Sequence, residues 1–207
     1  MRRLLISLCI LPLLAHPIDA RLPKNPSSIQ PLYDGEGENI CTTESVNERH
    51  GLWLTAAHCV EPSDNFVRVI MGKPAYVAYA DPVIDLALLR SDAKAPELRL
   101  GKRPRFGDIV NVAGYPLGLG QFLTTWLRIS NLEYKVEDRW FLVLDGTVLP
   151  GHSGSPVLDE DGRIIAVLQA GFNAGPITLA SPYKVLTAFL NRIVISADGS
   201  RYAVNVN

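Results

Sequence analysis

From residue 40 onward the sequence breaks into short apolar runs, each closed by Gly, Pro, Asn, Asp or a charged cluster: 40–46, 52–56, 66–71, 75–80, 86–89, 108–112, 126–129, 140–144, 156–158, 164–169 and 177–180. Runs of this length suit strands and are too short for the helices of a bundle or a parallel α/β sheet. Asn47-Glu48-Arg49-His50-Gly51 and Asp159-Glu160-Asp161-Gly162 read as hairpin turns. There Gly accepts a positive φ and Asp bonds the local backbone. Only 182–194 has a helical stripe, through Tyr183, Val185, Leu186, Phe189, Leu190 and Ile193, with Ser181 placed to cap it and Pro182 at its first position. An all-β fold with one C-terminal helix follows. The pattern suits two six-stranded antiparallel barrels or a sandwich, and by itself does not choose between them.

The N-terminus is organised differently. Arg2 and Arg3 precede an apolar stretch at 4–14, followed by Pro17 and Ile18-Asp19-Ala20. As a helix the stretch would be about 16 Å long, half a bilayer's hydrocarbon core. It reads as a secretory signal, residues 1–20, cut after Ala20 or alternatively after Ala15. The expectation is a secreted or periplasmic protein with no stable membrane insertion after cleavage. Residues 21–39, with Pro23, Pro26, Pro31, Gly35 and Gly37, read as an arm or linker. Residues 40–195 form the domain, with two lobes meeting near 100–120, and 196–207 read as a tail.

Cleavage would remove Cys9 and leave Cys41 and Cys59 as a pair in an oxidising compartment. A disulfide is expected, two buried thiols being the alternative. Twenty Lys and Arg balance 21 Asp and Glu, for a formal charge of −1. No basic run could neutralise a row of phosphates, so nucleic acid is not an expected partner.

Three motifs carry chemistry: Leu54-Thr55-Ala56-Ala57-His58-Cys59, Ile84-Asp85-Leu86-Ala87-Leu88-Leu89 and Gly151-His152-Ser153-Gly154-Ser155-Pro156. A serine hydroxyl is a poor nucleophile until an imidazole takes its proton and a carboxylate fixes that imidazole's tautomer. In their His, Asp, Ser order the motifs resemble the chymotrypsin-like serine proteases. The resemblance implies two β-barrels with the active site in the cleft between them. It makes Ser153 the nucleophile, His58 the general base and Asp85 the orienting acid, with the N–H groups of Gly151 and Ser153 as oxyanion hole. Cys59 paired with Cys41 matches a disulfide of that family. Asp81 is the alternative acid, but Pro82 follows it where Asp85 has Leu-Ala-Leu-Leu. His50, in a hairpin turn, reads as surface.

Gly114-Tyr115-Pro116-Leu117-Gly118-Leu119-Gly120-Gln121 is similar to the Deg/HtrA branch over residues 40–190. There a PDZ domain usually follows; here a helix and short tail do, so oligomeric and chaperone behaviour is not carried over. Ser155 in place of a common Gly also resembles secreted bacterial glutamyl endopeptidases and certain viral proteases. His152 replaces the Asp that pairs with a new N-terminus in digestive relatives, implying that no activating cut of that kind occurs. By resemblance, Thr147, the Gln169-Ala170-Gly171 strand and 177–180 frame the S1 pocket. With no carboxylate at its base, although Asp145 is near in sequence, an apolar or small P1 residue is expected.

These readings converge on a serine endopeptidase acting on protein or peptide substrates through an acyl-enzyme, without metal or organic cofactor. A catalytically silent protease-fold binding protein is the alternative. An α/β lipase is disfavoured by triad order and by the strand-rich pattern.

Overall fold

The computed structural model describes residues 26–60, 68–171, 175–191, 193–195 and 202–204. The segment read as a secretory signal lies outside them. Two closed antiparallel barrels make up the body of the fold. The first has strands β1 (Ile29–Tyr33), β2 (Asn39–Asn47), β3 (Leu52–Thr55), β4 (Arg68–Ile70), β5 (Lys73–Asp81) and β6 (Leu86–Ser91), in the order β1-β2-β3-β6-β5-β4. The second has β7 (Ile109–Gly114), β8 (Leu123–Val136), β9 (Arg139–Asp145), β10 (Pro156–Leu158), β11 (Ile164–Gly171) and β12 (Ile177–Ala180), in the order β10-β11-β12-β9-β8-β7. The barrel alternative of the sequence reading is therefore the observed one.

Closure follows from side-chain alternation, which gives each strand an inner and an outer face. Leu32, Trp53, Ile70, Ala87 and Leu89 fill the first barrel. Val110, Val112, Ile129, Leu142, Leu144, Val157 and Leu168 fill the second. A third buried cluster joins Ile29, Leu54, Leu86 and Leu88 of the first barrel to Ala113, Leu158, Ile164 and Val167 of the second, and includes Leu98 from the connecting segment. Each fully buried Leu or Ile in this seam contributes about 1.5–3 kcal/mol. The two barrels therefore form one packed unit, and residues carried by different barrels keep fixed relative positions.

Helix α1 (Tyr183–Asn191) inserts Leu186 and Phe189 into the same seam. It is shorter than the stripe suggested, because Ile193–Ile195, a β-branched run, forms strand β13 paired with β14 (Tyr202–Val204). The expected tail thus contributes a short hairpin. The Ser181 hydroxyl does not cap the helix; it accepts the Val167 N–H at 2.9 Å and ties the helix start to β11.

The expected arm also needs correction. Within residues 21–39, Ile29–Tyr33 is strand β1, which pairs along β2 and touches β4 at Tyr33 and Val69, so that it closes the first barrel. Pro31 is tolerated because the ladder to β4 is confined to that end.

Candidate active site

His58 sits on a single 3-10 turn, Ala57–Cys59, directly after β3. Its neighbour Cys59 is disulfide-bonded to Cys41 on β2, with Cα atoms 6.2 Å apart. The cross-link fastens the imidazole's segment to the barrel wall and is worth about 3 kcal/mol in the chain-entropy model.

Asp85 stands just before β6 at a φ of +54°, a left-handed conformation that Asp tolerates better than most residues. The approach to it is shaped by Asp81, whose carboxylate accepts the N–H groups of Val83 and Ile84 at 3.1 and 3.3 Å. Asp81, the alternative acid, is thus occupied in capping a turn. Asp85 is only 7% exposed, so its charge requires partners. One oxygen accepts the His58 backbone N–H at 2.9 Å, and both lie 3.0 Å from His58 Nδ1. A carboxylate can only accept there, which fixes the proton on Nδ1 and leaves Nε2 as the free base.

Ser153 lies on the turn between β9 and β10. Its carbonyl accepts the Thr42 N–H from the first barrel at 2.9 Å. The next residue, Gly154, has φ +79° and packs so tightly that a β-carbon would collide with Thr55 Oγ1 and the Thr42 carbonyl. The serine turn therefore abuts the strand end that leads into His58. No hydrogen bond joins His58 to Ser153 among the described residues.

Preceding it, Leu149-Pro150-Gly151-His152 forms a tight turn closed by the His152 N–H on the Leu149 carbonyl at 3.1 Å. With Pro second and Gly151 third at φ +91°, it has the residues of a type II turn. The Leu117 N–H grips the Pro150 carbonyl at 2.7 Å. Because the peptide unit is planar and trans, the Gly151 N–H points the opposite way. The N–H groups of His152, Gly154 and Ser155 all find carbonyl acceptors in the protein. Those of Gly151 and Ser153 have none among the described residues. Those two are the amides singled out from sequence.

His152 is buried. The Leu149 N–H donates to its Nδ1 at 3.2 Å, so the ring presents a lone pair there, and burial pushes its pKa down.

Beside Ser153 lies a cavity of about 440 Å³ lined by Thr147, Leu149, Pro150, Leu168, Gly171 and Ile177, among others. None of its lining residues is charged. Asp145 is not among them; it pairs in the sheet with Ile177 and Arg128. Of the residues expected to frame S1, Thr147, Gly171 and Ile177 line this cavity, Ala170 does not, and the Gln169 side chain is engaged elsewhere. Gln169 Nε2 donates to the carbonyls of Ile84 and Asp85 at 2.7 and 3.1 Å, and its Oε1 accepts from Arg139 Nη2 at 3.2 Å. A larger cavity of about 630 Å³, between residues 102–110 and 159–161, contains none of these groups. His50 is held within its turn by Asn47 at 3.1 Å.

Two contributors escaped the sequence reading. Thr42 donates from Oγ1 to the Gly151 carbonyl at 3.1 Å and accepts the Tyr115 N–H at 2.9 Å. Arg139 lies 3.5 Å from Asp85. Neither belongs to a recognisable motif, since both act across the barrel seam.

Comparisons with known proteins agree with this geometry. Residues 41–167 match the family model described as a trypsin-like peptidase domain. Among curated proteins, Protease Do-like 2, chloroplastic, of Arabidopsis thaliana is 33% identical over 132 residues, 56% of this chain and 22% of that protein. Serine protease HTRA4 of Homo sapiens is 28% identical over 178 residues, covering 79% and 36%. Serine protease HTRA2, mitochondrial, of Bos taurus is 31% identical over 156 residues, covering 69% and 34%. The chain thus spans 22–36% of the length of these relatives. Of solved structures, the active form of the Rv3671c protease from M. tuberculosis superposes with a TM-score of 0.70 at 22% identity, covering 81% of each chain. The serine endoprotease from Yersinia pestis gives 0.68 at 21%, covering 81% of this chain and 62% of that one.

Proposed function

The chain belongs to the trypsin-like peptidase family, and on that premise we propose that it is a serine endopeptidase using Ser153, His58 and Asp85. The observation that carries this reading is the pairing of an Nδ1-anchored imidazole with a serine turn whose two outward amides have no acceptor among the described residues.

In the proposed reaction Ser153 Oγ attacks the peptide carbonyl while His58 Nε2 takes its proton. The Gly151 and Ser153 N–H groups receive the developing oxyanion. His58 then protonates the leaving amine, and water repeats the sequence on the acyl-enzyme. Asp85 keeps the ring oriented and balances the imidazolium. The contact between Ser153 Oγ and Nε2 is of a kind that commonly tightens only with substrate present. Protein or peptide is the substrate. The uncharged cavity beside Ser153 supports an apolar or small P1 residue.

We further propose that the protein acts outside the cytoplasm after removal of residues 1–20. The Arg2-Arg3 start, the apolar stretch and the Cys41–Cys59 disulfide support this. Relatives include a protein described as a probable periplasmic serine endoprotease DegP-like from Ectopseudomonas mendocina. No helix of the described residues is long and apolar enough to cross a membrane.

A silent binding protein is the second reading, favoured by the open His58–Ser153 contact. One experiment separates the two. The chain from residue 21 and its Ser153→Ala variant are incubated with a mixed proteome, and the new N-termini are sequenced. Cleavage after apolar residues by the first protein alone supports the endopeptidase. The absence of new termini, with no fluorophosphonate labelling of Ser153, supports the binder; cleavage mainly after Arg overturns the specificity.

A further inference from the structure

Besides the His58 ring, Asp85 faces a guanidinium. Its Oδ2 lies 3.0 Å from His58 Nδ1 and 3.5 Å from Arg139 Nη2, and that same nitrogen donates to Gln169 Oε1 at 3.2 Å. Gln169 in turn holds the backbone carbonyl of Asp85 at 3.1 Å. Asp85 is thus held at its carboxylate by Arg139 and at its backbone carbonyl by Gln169. Both come from the second barrel, whereas Asp85 and His58 belong to the first.

The guanidinium is itself fixed. Arg139 is the first residue of β9, on a hairpin whose other arm, β8, runs 14 residues. The guanidinium carbon sits 5.0 Å from the Phe141 ring centroid. Phe141 packs with Val143 and Leu179, and with Val136, in a small cluster separate from the barrel interior. Cation–π stacking on one side and the Gln169 amide on the other define where the fork points. An exposed ion pair would be worth little, but this carboxylate is almost fully buried, so loss of a donor leaves an under-satisfied charge.

From this geometry, and resting on the proposed peptidase reading, we infer that Arg139 is a positioning residue of the acid: it locks the Asp85 carboxylate in the plane that orients His58. Gln169 completes the clamp, fixing the left-handed backbone at Asp85. The pair couples the orientation of the base to the docking of the barrel that carries the nucleophile. Arg139 meets the same carboxylate oxygen, Oδ2, that faces His58 Nδ1, and acts through the acid, so the effect belongs to the chemical step more than to substrate affinity.

The test is steady-state kinetics of wild type, Arg139→Gln and Arg139→Lys on a peptide taken from the proteome digest. Each protein's melting temperature and its rate of fluorophosphonate labelling are measured alongside. Arg139→Gln is expected to lose about 10- to 100-fold in kcat with KM changed less than about two-fold, the size of the penalty for taking one partner from a buried charged group. Labelling should slow in parallel. Arg139→Lys, which keeps the charge without the fork, should recover part of the loss. If Arg139→Gln destabilises the fold, Arg139→Ala assayed with and without millimolar guanidinium ion replaces it, and recovery of kcat by the added ion supports the inference. An unchanged kcat in a folded Arg139→Gln, or a loss confined to KM, overturns it. A wild type that neither cleaves nor labels overturns the peptidase reading instead.

Discussion

Thr42 and Ser153 meet across the barrel seam: the Thr42 N–H donates to the Ser153 carbonyl at 2.9 Å. Through its hydroxyl Thr42 also holds the Gly151 carbonyl. One residue of β2 thereby steadies both ends of the turn that aims the candidate oxyanion amides, and it adjoins Cys41 of the disulfide.

Thr42→Val keeps the shape and removes the hydroxyl. It leaves the Gly151 carbonyl and the Tyr115 N–H without that partner, at a cost of about 1–3 kcal/mol in urea unfolding. Because the backbone N–H to Ser153 survives, the fold persists. We expect kcat to fall about ten-fold, a change that kinetics on the folded variant will read.

Gly151→Ala tests the turn itself. A β-carbon at φ +91° would lie 3.1 Å from the Leu117 nitrogen, the Pro116 Cα and the Tyr115 carbonyl. Relief of that crowding swings the peptide that presents the Gly151 N–H. The expected loss is about 10²–10³ in kcat, the size seen for one oxyanion donor, while KM and the melting temperature change little by comparison. Retention of full kcat would remove Gly151 from the proposed hole.

His152 makes stability depend on acid. Burial lowers its pKa from the usual value of 6.5, so below that pH the unfolded chain binds a proton that the folded chain resists. Stability from this group is present above about pH 6.5 and falls as the pH drops toward the lowered folded pKa. Protonation would also deprive the Leu149 N–H of its acceptor. Thermal melts of wild type and His152→Gln between pH 8 and 5 should converge on acidification, the variant losing less.

Glu44 works in the opposite direction. It is fully buried on β2 between Ile29 and Leu54, with neither carboxyl oxygen hydrogen-bonded among the described residues. Desolvation raises its pKa well above 4.5, so the folded protein keeps a proton that the unfolded chain sheds. Stability therefore declines as pH rises from 4.5 toward the folded value. Glu44→Gln should raise the melting temperature at pH 8 by about 2–4 °C for each kcal/mol recovered, and by much less at pH 4.

The places of β2 to β12 and the three chemical motifs could be read from the sequence because each is written locally, although β8 runs 14 residues where the apolar run covers only 126–129. A turn needs its own Gly151 or Gly162, and a strand its own alternation. β1 escaped because Gln30 and Pro31 interrupt a segment of five residues, and its identity as a strand comes from β2 and β4. The Ser181 hydroxyl looked like a cap and proved to be a tie to Val167, since the competing N–H comes from 14 residues away. Gln169 looked like a pocket wall, yet its amide reaches back 84 residues to Asp85. Such partnerships exist only after the two barrels dock, and no single-chain spacing announces them.

The seam is fastened at two separate points, Thr42 to the serine turn and Gln169 with Arg139 to the acid. A wedge driven between the lobes would therefore displace Ser153 and His58, the proposed nucleophile and base, together, without touching either.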